Sequence, residues 1–239
     1  MKALVLNSGL GSRMGELTAT LPKAMLELSE GETVIGRQLR QLQEAGIRDI
    51  VVTTGPFENV LIAYVKDLFP TLNFTFVRNE LYEKTNYIYS IYLARDELDD
   101  DLVLMHGDLV IQDGIIEEML ASDRSLVTVS TTMPVPVKDF KGVMDEDMLV
   151  KKIGVEYFDT AVALQPLYVL KKEDWLVWLK EIISFCKRGE TSCYAEKAFN
   201  EISDQIQLKG FDFKGKLCNE IDDLNDLEHV RQVLKGKNK

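Results

Sequence analysis

Four short stretches of this chain carry residue types suited to handling phosphate. The first runs L-N-S-G-L-G-S-R-M-G from Leu6 to Gly15 and is followed by P-K-A-M-L from Pro22. The apolar run Ala3–Leu6 leads straight into it. The loop therefore stands at the carboxyl end of a strand, where open α/β sheets bind ligands. Gly9 and Gly11 let the backbone approach a phosphate and aim N–H groups at it. Arg13 and Lys23 add two cations. The second stretch, D-L-V-L-M-H-G-D, delivers Asp108 to the end of another buried strand. The third, N-E-I-D-D, places Glu220 and Asp222 in alternation, so that both face one way on an extended chain. Asp223 reads as a helix N-cap, and His106 either as a ligand contact or as a packed or hydrogen-bonded imidazole. The fourth stretch is N-E-L-Y-E-K-T-N-Y-I-Y-S-I-Y-L-A-R-D, Asn79–Asp96.

Two familiar phosphate loops do not fit the opening segment. A Walker A loop needs GxxxxGK[ST], which is absent. The dinucleotide fingerprint GxGxxG fails because Gly15 falls one position late, and the next strand ends Val52-Thr53-Thr54-Gly55 with no acid for a ribose diol. On the loop alone, a glycine turn with two solvated cations is the competing reading.

These stretches need a scaffold, and the alternation of apolar periods supplies one. Strands are expected at Ala3–Leu6, Asp49–Thr54, Asn73–Val77, Asp101–Met105 and Ser125–Thr132. Helical spacing links Val34, Ile35, Leu39, Leu42 and Ala45, with Gly46 as a stop, and recurs over Ile62–Phe69, Asn86–Leu98 and Gly114–Leu120. This βαβ order predicts an α/β fold: a Rossmann-like, mostly parallel sheet flanked by helices. After about residue 133 the pattern changes. Met148–Val155 and Thr160–Val169 read as strands of a small antiparallel and helical insert reaching to about residue 218. A helix through Trp175, Trp178, Leu179, Ile182 and Ile183 follows, stopped at Gly189, with both tryptophans expected in packing. Residues 219–239 hold the acidic segment and a closing helix with a basic, frayed end, KGKNK. The 239 residues thus read as one domain.

Composition narrows the partners. Hydrophobic residues make up 46%, enough for a full core. The net charge of −11 argues against a nucleic-acid partner, which needs a basic face. No apolar run approaches the roughly 20 residues of a membrane span, and Ala3–Leu6 is too short for a signal peptide. Cys186, Cys193 and Cys218 show no CxxC spacing, as in a cytoplasmic enzyme with reduced thiols.

Taken together, L-N-S-G-L-G-S-R-M followed by T-x-x-x-P-K-A-M-L resembles the signature of the nucleotidyltransferase family of sugar-1-phosphate type, usually L-A-A-G-x-G-[ST]-R-[LM] … P-K. Asn7 and Ser8 replace two alanines. Asn79–Asp96 resembles the matching segment of the bacterial CTP:phosphocholine cytidylyltransferase branch, and the G-T-A loop usual in sugar-1-phosphate members is absent there. The resemblance implies Mg²⁺-dependent transfer of CMP from CTP to a small phosphorylated or phosphonate head group, with release of pyrophosphate. An oxygen that is already anionic attacks, so no general base or covalent nucleophile is needed, and positioning and electrostatics dominate.

The resemblance also implies roles for particular residues. Arg13 would hold the β- and γ-phosphates, and Lys23 would bridge the α-phosphate and the acceptor. Asp108 and Asp222 would bind Mg²⁺, with Glu220 beside them. Leu6, Asn7, Ser8, Gly9, Gly11 and Ser12 would touch the nucleotide, with Thr54, Gly55, Asn86 and Ser90 near its base. For the acceptor, Asp159, Gln165 and Tyr168 are candidates, and Tyr194 with Glu196 could face an ammonium group. The alternatives are a sugar-1-phosphate nucleotidylyltransferase using UTP, dTTP or GTP, and a catalytically dead nucleotide sensor. The acceptor's identity stays open at this point, as does assembly into a homodimer.

Overall fold

The computed structural model describes residues 1–237, with Ser12 and Lys237 described by backbone alone. The chain begins with β1 (Lys2–Leu6). A small hairpin of β2 (Glu27–Ser29) and β3 (Glu32–Thr33) precedes α1 (Val34–Glu44). Then come β4 (Asp49–Thr54), α2 (Glu58–Leu68), β5 (Asn73–Arg78) and α3 (Tyr87–Ala94). They are followed by β6 (Leu102–His106), β7 (Leu109–Ile111), α4 (Ile115–Leu120) and β8 (Ser125–Ser130). The later half adds β9 (Lys141–Met144), β10 (Val150–Gly154), β11 (Ala161–Leu170), α5 (Lys172–Lys187) and α6 (Ala195–Ile202). It closes with β12 (Leu208–Asp212), β13 (Cys218–Glu220) and α7 (Leu224–Lys237).

β1, apolar from Ala3 to Leu6, sits at the centre, parallel to β4 on one side and to β6 on the other. Its alternate residues face opposite ways. Ala3 and Val5 join one core with Ile35 and Leu39 of α1, Leu61 of α2 and Met119 of α4. Leu4 and Leu6 join the other with Ile88 and Ile91 of α3, Trp175 and Trp178 of α5 and Phe199 of α6. Helices thus cover both faces, as a sheet hydrophobic on both sides requires. The helix starts obey local chemistry: the Thr33 side chain accepts from Gly36 N at 3.0 Å and caps α1, and Asn86 caps α3 through Tyr87 N at 2.7 Å. Trp175 and Trp178 are fully buried, and their indole N–H groups donate to Leu98 O and Ala195 O.

Among the described residues, nine strands form the main sheet, in the path β10-β9-β11-β6-β1-β4-β5, with β8 and β12 branching from β11. Of the strands after residue 133, β9 to β12 continue this sheet, and β13 pairs with β7 in a separate two-stranded sheet. β11 runs antiparallel to β6 through Leu167–Leu170 and to β9 through Ala161–Ala163. Pro166 lies inside β11 and has no N–H to give the ladder. The pairing with β8 shifts register there, and the Thr128 hydroxyl donates to Gln165 O at 2.7 Å.

Local propensity did not reveal β7, β9, β12 or β13: each is short, and β7, β12 and β13 take their partners from far along the chain. The pair β7 and β13 matters most. Glu220 registers against Leu109, and Ile221 N donates to Asp108 O at 2.9 Å, which joins the two acidic segments across more than a hundred residues. Asp223 caps α7, accepting from Asn225 N at 2.8 Å and Asp226 N at 3.2 Å. Of the basic end, Asn238 and Lys239 lie outside the described residues. No described helix is long and apolar enough to cross a membrane.

Candidate active site

The loop after β1 turns back over the sheet edge in a 3-10 turn, Ser12–Thr18, that is kinked at Gly15 (φ 58°, ψ −128°). Gly11 also lies at positive φ, 64°, and a Cβ there would stand 3.1 Å from Lys23 Cβ. A glycine at this point lets the loop close on the lysine. Gly107, which leads from β6 into Asp108, is equally constrained. A Cβ on it would meet Asn7 Oδ1 at 2.0 Å and Leu6 O at 2.6 Å. Gln38 of α1 steadies this turn by donating to His106 O at 2.8 Å and Leu109 O at 2.7 Å.

These segments converge on one centre. Lys23 Nζ lies 2.6 Å from Asp108 Oδ2 and 3.2 Å from Asp222 Oδ1. The Arg13 guanidinium pairs with both oxygens of Asp222, at 2.9 and 2.7 Å. Burial pulls the Lys23 ammonium down, but Asp108 and Asp222 outweigh it, and its pKa stands above the ordinary lysine value. Burial pushes Asp108 up, but Lys23 and His106 outweigh that and hold it below the ordinary carboxylate range. His106 Nδ1 lies 2.8 Å from Glu220 Oε1. Burial lowers the imidazole pKa, yet the hydrogen bond and charge of Glu220 lift it to about 8. Burial and the Asp108 charge raise Glu220.

His106, Asp108 and Glu220 bring ligand atoms within 4.8 Å of one another. Asp108 and Asp222 meet on a single ammonium, so a cation between them is already part of the geometry. The donor set is largely carboxylate oxygen, which suits a hard divalent cation such as Mg²⁺.

The centre forms one end of a cavity of about 390 Å³. Leu6, Asn7, Ser8, Gly9, Gly11, Asn86 and Ser90 line it, as do Arg13, Lys23, Asp108, Glu220 and Asp222. Asn79 Nδ2 donates to Ser90 Oγ and Ser90 Oγ to Ser8 Oγ, each at 3.0 Å, a buried chain that fixes the floor under α3. The opposite wall is aromatic. The Tyr87 ring packs on His106 (4.6 Å) and on Tyr194 (5.8 Å), and Phe140 packs edge-on to Tyr194 at 5.0 Å.

Several residues singled out from the sequence stand elsewhere. Asp159 is exposed in the turn before β11 and does not line the cavity. Gln165 is buried within β11, 4% exposed and away from the cavity. Thr54 is buried with its hydroxyl on Glu58 Oε1 at 2.9 Å, and Gly55 packs under the loop, where a Cβ would meet Ser8 O at 2.4 Å. Neither touches the cavity surface, because the loop after β1 lies over them. Glu196 does not present a free carboxylate. It is 1% exposed and accepts from the hydroxyls of Tyr87 and Tyr168, the latter at 2.8 Å. Burial and Glu196 hold both phenols well above their ordinary pKa, so they remain donors. Glu196 lines a second cavity of about 320 Å³ behind Tyr194. The Ser12 side chain lies outside the described residues. The sequence reading missed Phe140, Lys138 and Asp139, which also line the main cavity. They sit on the irregular run M-P-V-P-V-K-D-F, which shows no period to read.

A mixed α/β sheet with a parallel centre, carrying a glycine loop, two cations and converging carboxylates at the carboxyl edge of its parallel strands, is the arrangement of a nucleotidyltransferase. The chain belongs to the MobA-like NTP transferase domain family, which residues 3–177 match. It is 34% identical to a choline-phosphate cytidylyltransferase of Haemophilus influenzae, over 98% of this chain and 97% of that protein. It is 29% identical to a CMP-5'-(3-aminopropyl)phosphonate synthase of Streptomyces rubellomurinus over 51% of its own length, but spans only 19% of that longer protein. Its fold matches the structure of the CTP:phosphocholine cytidylyltransferase from Streptococcus pneumoniae with a TM-score of 0.78, at 20% identity, over 98% of both chains.

Proposed function

We propose that this protein transfers CMP from CTP to a small phosphorylated or phosphonate head group that carries a cation, releasing pyrophosphate. The carrying observation is the convergence of Lys23 and Arg13 with Asp108 and Asp222 at the mouth of the loop after β1. An acceptor oxygen forms a bond to the α-phosphorus as the bond to the pyrophosphate oxygen breaks. The nucleophile is already an anion, so the barrier lies in bringing anions together and in charge on the leaving group. Lys23, held charged, serves the α-phosphate and the incoming phosphate. Arg13 serves the leaving pyrophosphate. Backbone N–H groups around Gly9 and Gly11 cradle the phosphates. Asp108 and Asp222, with Glu220 alongside, would hold Mg²⁺, which supplies charge neutralisation and alignment of phosphate oxygens.

The aromatic wall of Tyr87, Phe140 and Tyr194, with the Glu220 carboxylate nearby, favours a cationic head group over a neutral sugar. The names of the relatives, a choline-phosphate and an aminophosphonate enzyme, support the same class. In this reading residues 1–133 bind mainly the nucleotide and 134–218 mainly the acceptor, and the use of CTP supports a cytoplasmic location. Steady-state pyrophosphate release tests these roles. With CTP and phosphocholine or 2-aminoethylphosphonate, Lys23→Met and Asp108→Asn should each lower kcat by about 100-fold or more. Tyr194→Ala should raise the acceptor KM with little change in the CTP KM. Unchanged turnover in Lys23→Met or Asp108→Asn would remove this mechanism.

A further inference from the structure

The two sets of groups that the proposed reaction needs are holding each other. Arg13 covers both oxygens of Asp222, and Lys23 bridges Asp108 and Asp222 at 2.6 and 3.2 Å. A divalent cation entering between these carboxylates must displace that ammonium and guanidinium. We infer that these ion pairs form an exchange device. The triphosphate draws Arg13 and Lys23 off the carboxylates, and that exchange frees the oxygens for the metal. Metal and nucleotide then bind as a coupled pair, and the nucleotide-free protein holds a divalent cation weakly. The inference rests on the nucleotide-and-metal reading proposed above.

The arrangement also indicates which partner moves. The main chain that carries the carboxylates is fixed: Ile221 N donates to the backbone oxygen of Asp108 at 2.9 Å, and Asp222 N donates to the Asp226 side chain at Oδ2, 2.9 Å. The Arg13 side chain is 66% exposed, so swinging it onto a phosphate sacrifices little packing. The Lys23 stem is pinned against Gly11, but its ammonium ends a flexible chain. Lys23 and Arg13 therefore change partners while Asp108 and Asp222 stay. By linkage, the factor by which nucleotide tightens metal binding equals the factor by which metal tightens nucleotide binding.

The test uses Mn²⁺ as the probe, titrated into nucleotide-free protein with free ion read by electron paramagnetic resonance. Arg13→Gln and Lys23→Met should each bind Mn²⁺ about tenfold or more tightly than the wild type, because each frees a carboxylate from a charge-assisted contact. The exposed Arg13 variant keeps the test valid if the buried Lys23 variant folds poorly. Lys138→Gln controls for net charge. Lys138 lines the same cavity without an ion pair among the described residues, and its loss should shift Mn²⁺ affinity by less than about twofold. Mn²⁺ affinity in both ion-pair variants equal to or weaker than wild type would overturn the inference, as would an equal gain in Lys138→Gln. Failure of the wild type to release pyrophosphate with any nucleotide would remove the proposed function and leave the Mn²⁺ comparison to be read by itself.

Discussion

Lys141 offers a sharp test of how the proposed acceptor side of the cavity is held in place. It opens β9 and is wholly buried. Its Nζ donates to Asp139 O at 2.9 Å and Val155 O at 2.8 Å, lies 3.5 Å from Val137 O, and sits 4.4 Å from the centre of the Phe158 ring. Burial holds its pKa below the ordinary lysine value. The ammonium therefore staples the irregular segment that bears Lys138, Asp139 and Phe140 to the strand end at Val155. Lys141→Met keeps the stem volume and removes the charge. Two charge-assisted bonds of about 1.5–3 kcal/mol each are lost, offset in part by the desolvation of an ammonium that methionine lacks. The net loss should be about 1–3 kcal/mol, which for a chain of this size lowers the melting temperature by roughly 3–10 °C. Phe140 belongs to the aromatic wall and Asn7 and Ser8 do not, so the acceptor KM should rise several-fold while the CTP KM stays put. Calorimetric melting and steady-state kinetics read both effects. A melting temperature within about 1 °C of wild type, with both KM values unchanged, would refute the staple.

Three further outcomes follow from the geometry. Gly107→Ala drives a Cβ into Asn7 Oδ1 and the Leu6 carbonyl, so it should abolish turnover and lower the melting temperature, whereas Gly9→Ala, with nothing within 4 Å, should leave the melting temperature unchanged. Glu196→Gln replaces an acceptor of two tyrosine hydroxyls by an amide that donates at one of them. It should cost about 1–3 kcal/mol of stability in a denaturant melt, and an unchanged midpoint would contradict the buried network. Asp113 joins Arg37 and Arg40 at 2.9 Å each. Burial raises its pKa, but hydrogen bonds from Arg40 and Gln41 and the Arg37 charge outweigh that and depress it. A depressed carboxylate contributes stability above its unfolded pKa of about 3.9 and loses it as pH falls through the folded value. Asp113→Asn should therefore melt lower than wild type at pH 7, and the gap should close below about pH 4. A gap constant with pH would contradict this.

The parts of the fold that local pattern controls were legible in the sequence. β4 was expected at Asp49–Thr54 and lies there, because the five β-branched residues Ile50–Thr54 end at a glycine. α1 showed its buried stripe and its stop at Gly46, which adopts φ 85°. The loop cations and Asp108 were legible because they abut a strong strand. What stayed hidden depends on long-range pairing. β13 is three residues long and becomes a strand only against β7, so the meeting of Asp222 with Arg13 was an implication of the family resemblance and could not be read from spacing. Glu196 was expected to face an ammonium group, since nothing local announces that Tyr87 and Tyr168 arrive from two other elements to bury it. Gln165 and Thr54 were misplaced for the opposite reason. Both lie in motif-like surroundings, but β4 and β11 are buried on both faces, so their side chains are enclosed whichever way they point.

The central claim is that Arg13, Lys23, Asp108 and Asp222 form a centre for transferring CMP to a cationic, phosphate-bearing head group. The most direct measurement is pyrophosphate release with Mg²⁺, each of CTP, UTP, dTTP, ATP and GTP, and an acceptor panel. That panel would hold phosphocholine, phosphoethanolamine, 2-aminoethylphosphonate, phosphoglutamine, glycerol phosphate and hexose 1-phosphates. The account predicts release with CTP and an amine-bearing acceptor, and none with the hexose 1-phosphates. Release confined to UTP, dTTP or GTP with a hexose 1-phosphate would contradict it and make the protein a sugar-nucleotide enzyme.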